Sequence, residues 1–455
     1  MRRLFTLIAI IAHSAGLFGA TDKAYVANSG NNNVSVIDTT LNTVIATVPV
    51  GSLPLFITII PDGTEAYVSN FNGASVSVID TATDAVIATV GVGSHPGAIA
   101  ASPNSSTVYV INRGSNSVSV IDTTTHAVVA TVNIVPSNPP GEWIAITPNG
   151  DTVYVAGPND NVIDAIDTTT NTVVATPTLG VTPVFFAITP SGNRVYVANE
   201  DSDNVSVVST VSNTVIATVD VGTLPIFVNV TPQGNKVYVS NRTDSSVNVI
   251  DTATNLVIAT VAVGSGPVYG VVTPDGTKLF ILNSFGTTVS VIDTTLDAVG
   301  DTVSIAGNPQ YGAVTPDGSK VLITANDDNT YVIDTATDAV IATIPVGSTP
   351  QQVAIIPASQ NTAPVTPTLI SAKAKASVFL SEADYFIVLK WNPSVSAGVT
   401  EYRILRDGVQ IGTVSSSAPL KFEDHNRKKG KSYTYQVIAV SSGGESAPLS
   451  VTIKA

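Results

Sequence analysis

The sequence predicts an all-β chain, an eight-bladed β-propeller of four-stranded blades followed by a β-sandwich, and three observations carry the prediction. The string NVSVIDTTLNTVIA at 33–46 returns in altered form down most of the chain, for example as VSVIDTATDAVIA at 76–88. The residue closing each valine-rich run is Asp38, Asp80, Asp122, Asp167, Ser209, Asp251, Asp293 or Asp334, at intervals of 42, 42, 45, 42, 42, 42 and 41. Eight copies at one period define a repeat protein. Each copy holds four short apolar runs separated by turn residues, in the second copy AYVSN (66–70), SVSVID (75–80), AVIATV (85–90) and GAIAAS (97–102). Runs of that length with alternation or full burial read as strands, and four strands in about 42 residues make a propeller blade. The composition agrees, because Val, Thr, Ser, Asn and Gly are in excess while 12% of residues are charged. Such residues favour strands and tight turns over long helices.

Residues 1–20 begin with Arg2 and Arg3, continue through an apolar run from Leu4 to Ala12 and end in small residues. This is the layout of a secretory signal peptide, too short to span a bilayer comfortably, so the expectation is export to the periplasm, cell surface or medium, with no membrane span after its removal.

The blades are expected over 21–357. The first copy opens near Ala24 on the strand that neighbours the inner one, and the last ends on an orphan inner strand, QQVAIIP at 351–357. Pairing that orphan with strand 24–28 would close the ring. A stretch rich in Pro and Thr at 358–367 reads as a stiff linker, and 368–455 as a second module.

Charge and cysteine content exclude several functions. The 455 residues include no cysteine, so disulfides and thiolate metal sites are ruled out. Residues 21–362 carry 7 basic and 27 acidic side chains, and residues 363–455 carry 11 and 7. An acidic ring repels phosphate backbones, which argues against nucleic acid as its partner.

The motifs YVAN (25–28), YVSN (67–70), YVIN (109–112), YVAN (196–199) and YVSN (238–241), followed by VSVIDT variants and by TPDG or TPNG, resemble the YVTN-type β-propeller repeat of surface-layer and YncE-like secreted bacterial proteins. That resemblance implies blades, and it implies no common active site. In the last module FIVLKWNPS (386–394), TEYRILRDGVQIGTV (400–414) and the strand following Lys431 resemble a fibronectin type III domain. The resemblance puts Trp391 in the core and Tyr433 at a tyrosine corner.

The repeated aspartates and the repeated Asn28, Asn70, Asn112, Asn199, Asn241 and Asn283 occupy one place in every copy, which assigns them to blade structure. Only four histidines occur, at no ligand spacing, which argues against haem, copper and His-triad sites. The acidic loops at 199–204 and 326–329 lack the Gly-and-Glu frame of an EF-hand and read as solvated turns.

A more informative position lies five residues before each turn proline. There the inner strands carry Phe56, Ala98, Trp143, Phe185, Phe227, Tyr269, Tyr311 and Gln352. Six aromatic residues facing the axis predict a collar at one mouth, with Glu142 and the inserted loop 135–142 beside Trp143. The rings either fill the channel or form a stacking platform for a ligand. The resulting expectation is a non-catalytic interaction protein that needs no cofactor and binds a protein or carbohydrate through Phe56, Glu142, Trp143, Phe185, Phe227, Tyr269 and Tyr311. The alternative is a lactonase-like or quinoprotein-like enzyme using the axial pocket. Its polar candidates on the inner strands, Thr58, Asn229, Gln310, Gln351, Gln352 and Glu142, are a thin set for acid–base work.

Overall fold

The valine-rich string folds as the chain's period-two logic requires. The computed structural model describes residues 23–134, 143–157 and 160–356 and, in the last module, 368–379, 382–392, 399–416, 420–441, 444–446 and 448–454. The expected signal segment, the inserted loop with Glu142 and the linker at 358–367 lie outside the described residues. In each copy the YVxN-type and VSVID-type strands, such as Glu65–Asn70 and Ser75–Asp80, are buried along almost their whole length. The third strand, such as Ala85–Gly91, alternates between exposed and half-buried residues and forms the wet outer edge.

Among the described residues the strands assemble into eight four-stranded antiparallel sheets in the blade pattern of a β-propeller. Seven of these sheets are continuous in sequence. In the remaining sheet, Lys23–Asn28 pairs on one side with Asn33–Asp38 and on the other with Pro350–Ile355, through Ala24↔Ile355 and Val26↔Val353. The two ends of the repeat region therefore meet in one sheet, as the orphan strand required. Inner strands pack on their successors all the way round, and Pro350–Ile355 returns to Pro54–Ile59.

The cores lie between neighbouring sheets. Tyr67, Val76 and Val78 of one sheet bury against Val108, Val110 and Ile121 of the next. Each such Val or Ile contributes about 1.5–3 kcal/mol when fully buried, so the interfaces between sheets dominate stability.

Polar locks repeat with the strands. Asp122 Oδ1 accepts the N–H groups of Thr124 (3.1 Å) and Thr125 (2.8 Å), closing the turn between the second and third strands. Asp38, Asp80, Asp167, Asp251, Asp293 and Asp334 accept turn N–H groups in the same way. Asn70 Nδ2 donates to Ser75 Oγ at 3.1 Å and Ser77 Oγ at 3.0 Å, tying the two middle strands together. Gly51 lies so close to that amide that a β-carbon there would come within 2.5 Å of the Asn70 side chain.

Successive sheets are also clasped by charge. Lys23 Nζ reaches Asp84 at 2.8 Å, Lys236 reaches Asp297 at 2.7 Å and Lys278 reaches Asp338 at 2.7 Å. Lys320 donates to the Thr39 carbonyl and Arg194 to the Thr252 carbonyl from the equivalent positions. Between the second and third sheets the polarity is reversed, with Glu65 accepting from His126 at 2.9 Å.

In the last module a three-stranded sheet (Thr368–Phe379, Glu382–Asn392, Lys421–Asp424) and a five-stranded sheet built on Val399–Arg406 and Ser432–Ser441 share one core. Trp391 is 1% exposed within it, its ring edge-on to Tyr402. The Tyr433 hydroxyl accepts the Lys428 backbone N–H at 3.0 Å. Asp424, also buried, is held by Arg406 at 2.9 Å and by the Tyr435 hydroxyl.

Candidate functional site

Among the described residues seven of the eight inner strands open on a proline, and just inside it the pairing slips; Ile144–Ile146 is the exception. Pro54 lies opposite Asn70, yet Phe56 lies opposite Ser69, and the same irregularity follows Pro225, Pro267 and Pro309. A bulge redirects the side chain next to it, and here it turns the collar position toward the axis.

The six aromatic residues predicted from the sequence come together as a closed ring of contacts. The centroid distances are 6.4 Å for Phe56–Trp143, 4.8 Å for Trp143–Phe185, 5.1 Å for Phe185–Phe227, 4.3 Å for Phe227–Tyr269, 5.6 Å for Tyr269–Tyr311 and 6.3 Å for Tyr311–Phe56. Tilts of 38–78° put ring edges against ring faces, the arrangement aromatic quadrupoles prefer. The contacts bypass the two strands without an aromatic residue, because Ala98 is small and buried and Gln352 is drawn sideways to accept the Ile57 N–H at 2.9 Å. Phe227 is buried, whereas the other five rings stay half-buried. Burial, reinforced by the neighbouring Tyr311, pushes the Tyr269 phenol above the usual tyrosine range, so it stays neutral.

Beside the ring lies a cleft of about 250 Å³. Its apolar wall is Val184, Phe185, Ile226, Val268, Tyr269 and Tyr311, and its polar rim is Glu200, Arg242, Ser284 and Gln310. Glu200, Arg242 and Ser284 each directly follow the Asn that closes a YVxN-type strand. That position holds Ser29, Phe71, Arg113, Pro158, Glu200, Arg242, Ser284 and Asn326 in successive copies, while the strand before it changes far less. Variation inside an otherwise uniform repeat was the available signal for these rim residues, which the collar pattern by itself does not identify.

Cation placement singles out the same face. The other five of the seven basic residues in 21–362 serve the clasps between sheets, which leaves Arg113 and Arg242. Arg242 lies 5.2 Å from the Phe285 centroid and Arg113 lies 6.0 Å from that of Phe71, positions in which an aromatic face steadies the guanidinium.

Three of the polar candidates on the inner strands donate to backbone carbonyls. Asn229 donates to the Gly270 carbonyl at 3.0 Å, Gln310 to the Asn308 carbonyl at 3.3 Å and Gln351 to the Thr349 carbonyl at 3.4 Å, while Thr58 is half-buried on its strand. In the acidic loops Asp203 accepts the Leu224 N–H at 3.0 Å and Asp328 accepts the Thr349 N–H at 2.8 Å. Among the described residues, no three His, Cys, Asp or Glu side chains converge as metal ligands would. No helix among the described residues is long and apolar enough to cross a membrane.

A family model described as "Lactonase, 7-bladed beta-propeller" matches residues 143–218. No curated protein matches the chain. Solved structures do: the dihydro-heme d1 dehydrogenase NirN in complex with DHE is similar at TM-score 0.64 and 15% identity, over 74% of this chain and 76% of that one. Hydrazine synthase of Kuenenia stuttgartiensis is similar at TM-score 0.51 and 25% identity, over 63% of this chain and 96% of that one. A functionally unknown protein from Desulfotomaculum acetoxidans DSM 771 is similar at TM-score 0.53 and 16% identity, over 74% and 99%. Likenesses at these identities concern the fold, and they agree with the β-propeller described above.

Proposed function

We propose that the chain is an exported eight-bladed propeller of the YVTN type, carrying a fibronectin type III-like module, that binds a ring-bearing ligand, a glycan or a protein side chain, at the aromatic mouth. The observation that carries this reading is the continuous ring of six aromatic side chains, five of them half-buried, bordering the cleft. Aromatic faces stack on sugar rings and attract cations, and a polar rim of Glu200, Arg242, Ser284 and Gln310 orients what they hold. Binding needs no cofactor. The test is titration with a glycan and peptide library while following the indole of Trp143 in a Trp391→Phe background, where it is the sole tryptophan. A ligand-dependent change that is lost in Tyr269→Ala supports the reading. Silence across the library, together with strong destabilisation by Trp143→Ala, would reduce the ring to packing.

A second reading is an enzyme of the lactonase-like kind acting at the same mouth. It is favoured by the family-model match over 143–218, a span that includes Trp143, Phe185 and Glu200. Turnover of a lactone panel, abolished by Glu200→Gln with the fold intact, would support it over simple binding.

A further inference from the structure

The most concentrated positive charge of the chain lies far in sequence from the mouth. Residues 363–455 carry 11 basic side chains against 7 acidic ones, and four of the 11 fall between Arg427 and Lys431. We propose that this turn of the C-terminal module is a binding site for an anionic polysaccharide.

The turn is built rather than loose. The Arg427 N–H donates to the Tyr385 carbonyl at 2.7 Å, the Lys428 N–H to the Tyr433 hydroxyl at 3.0 Å and the Lys431 N–H to the Lys428 carbonyl at 3.1 Å. Gly430 supplies the left-handed φ of 78° that closes it. Aromatic faces hold the cations in place, with Lys431 Nζ 4.9 Å from the centroid of Tyr433 and Lys429 Nζ 5.7 Å from that of Tyr385. Carboxylates close by are already committed, Asp424 to Arg406 and Arg427, Glu423 to Lys421 and His425. Lys428, Lys429 and Lys431 are exposed and pair with no carboxylate among the described residues.

Like charges held this close repel one another, and a polymer bearing one anionic group per sugar or so relieves that repulsion while releasing its own counterions. The chemistry of the turn favours a saccharide over the other polyanions. Tyr433 is 4% exposed and the lysines cover the faces of Tyr433 and Tyr385, so neither of these rings is open for bases to stack on. The turn carries no apolar side chain to insert into a bilayer. Hydrated ammonium groups suit sulfates or carboxylates spaced along a sugar chain.

The experiment uses the full chain on surfaces bearing heparin, polygalacturonate or uncharged dextran, with duplex DNA and phosphatidylserine vesicles as competitors. The expected result is retention on the two charged polysaccharides and not on dextran, with affinity falling at least about tenfold when salt is raised fourfold. Lys428→Gln/Lys429→Gln/Lys431→Gln should lower affinity by about tenfold or more, whereas Lys373→Gln/Lys375→Gln, elsewhere on the module, leaves it unchanged. Near-UV dichroism of Trp391 verifies that both variants stay folded. Failure to bind either charged polysaccharide, equal binding by the triple variant, or tighter binding of DNA or vesicles overturns the proposal.

Discussion

Phe56 and Trp143 stand with ring centroids 6.4 Å apart, although the inner strand Pro96–Ala101 lies between theirs. The contact exists because Ala98 leaves room for two large rings to meet past it. Together with the sideways pull on Gln352, this lets six aromatic side chains form an unbroken circuit across eight strands.

The circuit makes the cost of truncation uneven. Phe227 is 6% exposed, so Phe227→Ala should cost about 3–5 kcal/mol, the range for a core aromatic. Trp143 is half-buried, and Trp143→Ala should cost less despite its larger ring. Denaturant melts of the two variants compare them directly, and a larger loss for Trp143→Ala would contradict the assigned burial.

Gly264 should be intolerant of any side chain. A β-carbon there would come within 2.4 Å of Asn283 Nδ2, the amide that bridges Thr288 and Ser290. Gly264→Ala should therefore lower stability by about 1–3 kcal/mol, the cost of overpacking. Gly91 has open space around its position, so Gly91→Ala is the neutral control in the same thermal scan.

Closure by the last strand should be needed for stability of the whole ring. Deleting 350–356 strips the partner from Lys23–Asn28 and uncovers Val26, Leu322 and Val332, which pack against Val353. The expected outcome is a lower melting temperature for the propeller and self-association through the bare edge, read by calorimetry and light scattering. An unchanged melt would show that the other seven sheets suffice.

Acid should loosen the turns. Hydrogen bonds from Thr83 hold Asp80 below its ordinary value, those from Thr125 do so for Asp122, and those from Thr254 for Asp251. Folded values below the unfolded ones mean a stabilising contribution that is complete above the unfolded value of about 3.9 and is lost as pH falls through the folded values. Melting temperature should drop below about pH 4, and Asp80→Asn/Asp122→Asn/Asp251→Asn should flatten that drop. An equally steep drop in the triple variant would assign it to other carboxylates.

The C-terminal module should respond to its own core. Trp391→Ala should cost that module about 3–5 kcal/mol, and a two-transition melt should move only in the module's transition. A single transition lowered throughout would make the chain one cooperative unit.

Much of the fold is legible in the sequence because the repeat states it eight times. The valine-rich strands, the aspartate turns and the orphan strand at the end all follow from period and position. The collar residues were legible too, since an aromatic residue stands five residues before six of the eight turn prolines. Their closure into a circuit was not, because it depends on a bulge and on how Ala98 and Gln352 yield space. The charge clasps hide for a different reason: Lys23 and Asp84 are 61 residues apart, about a unit and a half, and look unrelated until neighbouring sheets are side by side. Arg242 and Glu200 likewise converge from separate copies, and no local pattern links them.

The pairing of Ala24 with Ile355 also sets a schedule for biosynthesis. At 5–20 residues per second, the first strand waits roughly 15 s to a minute after it is made before its partner exists. Throughout that interval the nascent chain is an open arc with an adhesive lip at its leading end. Two arcs held close together on one message could exchange their final strands and close each other instead of themselves. The seam that makes the finished ring durable is thus also the step at which crowded synthesis would yield interlocked pairs.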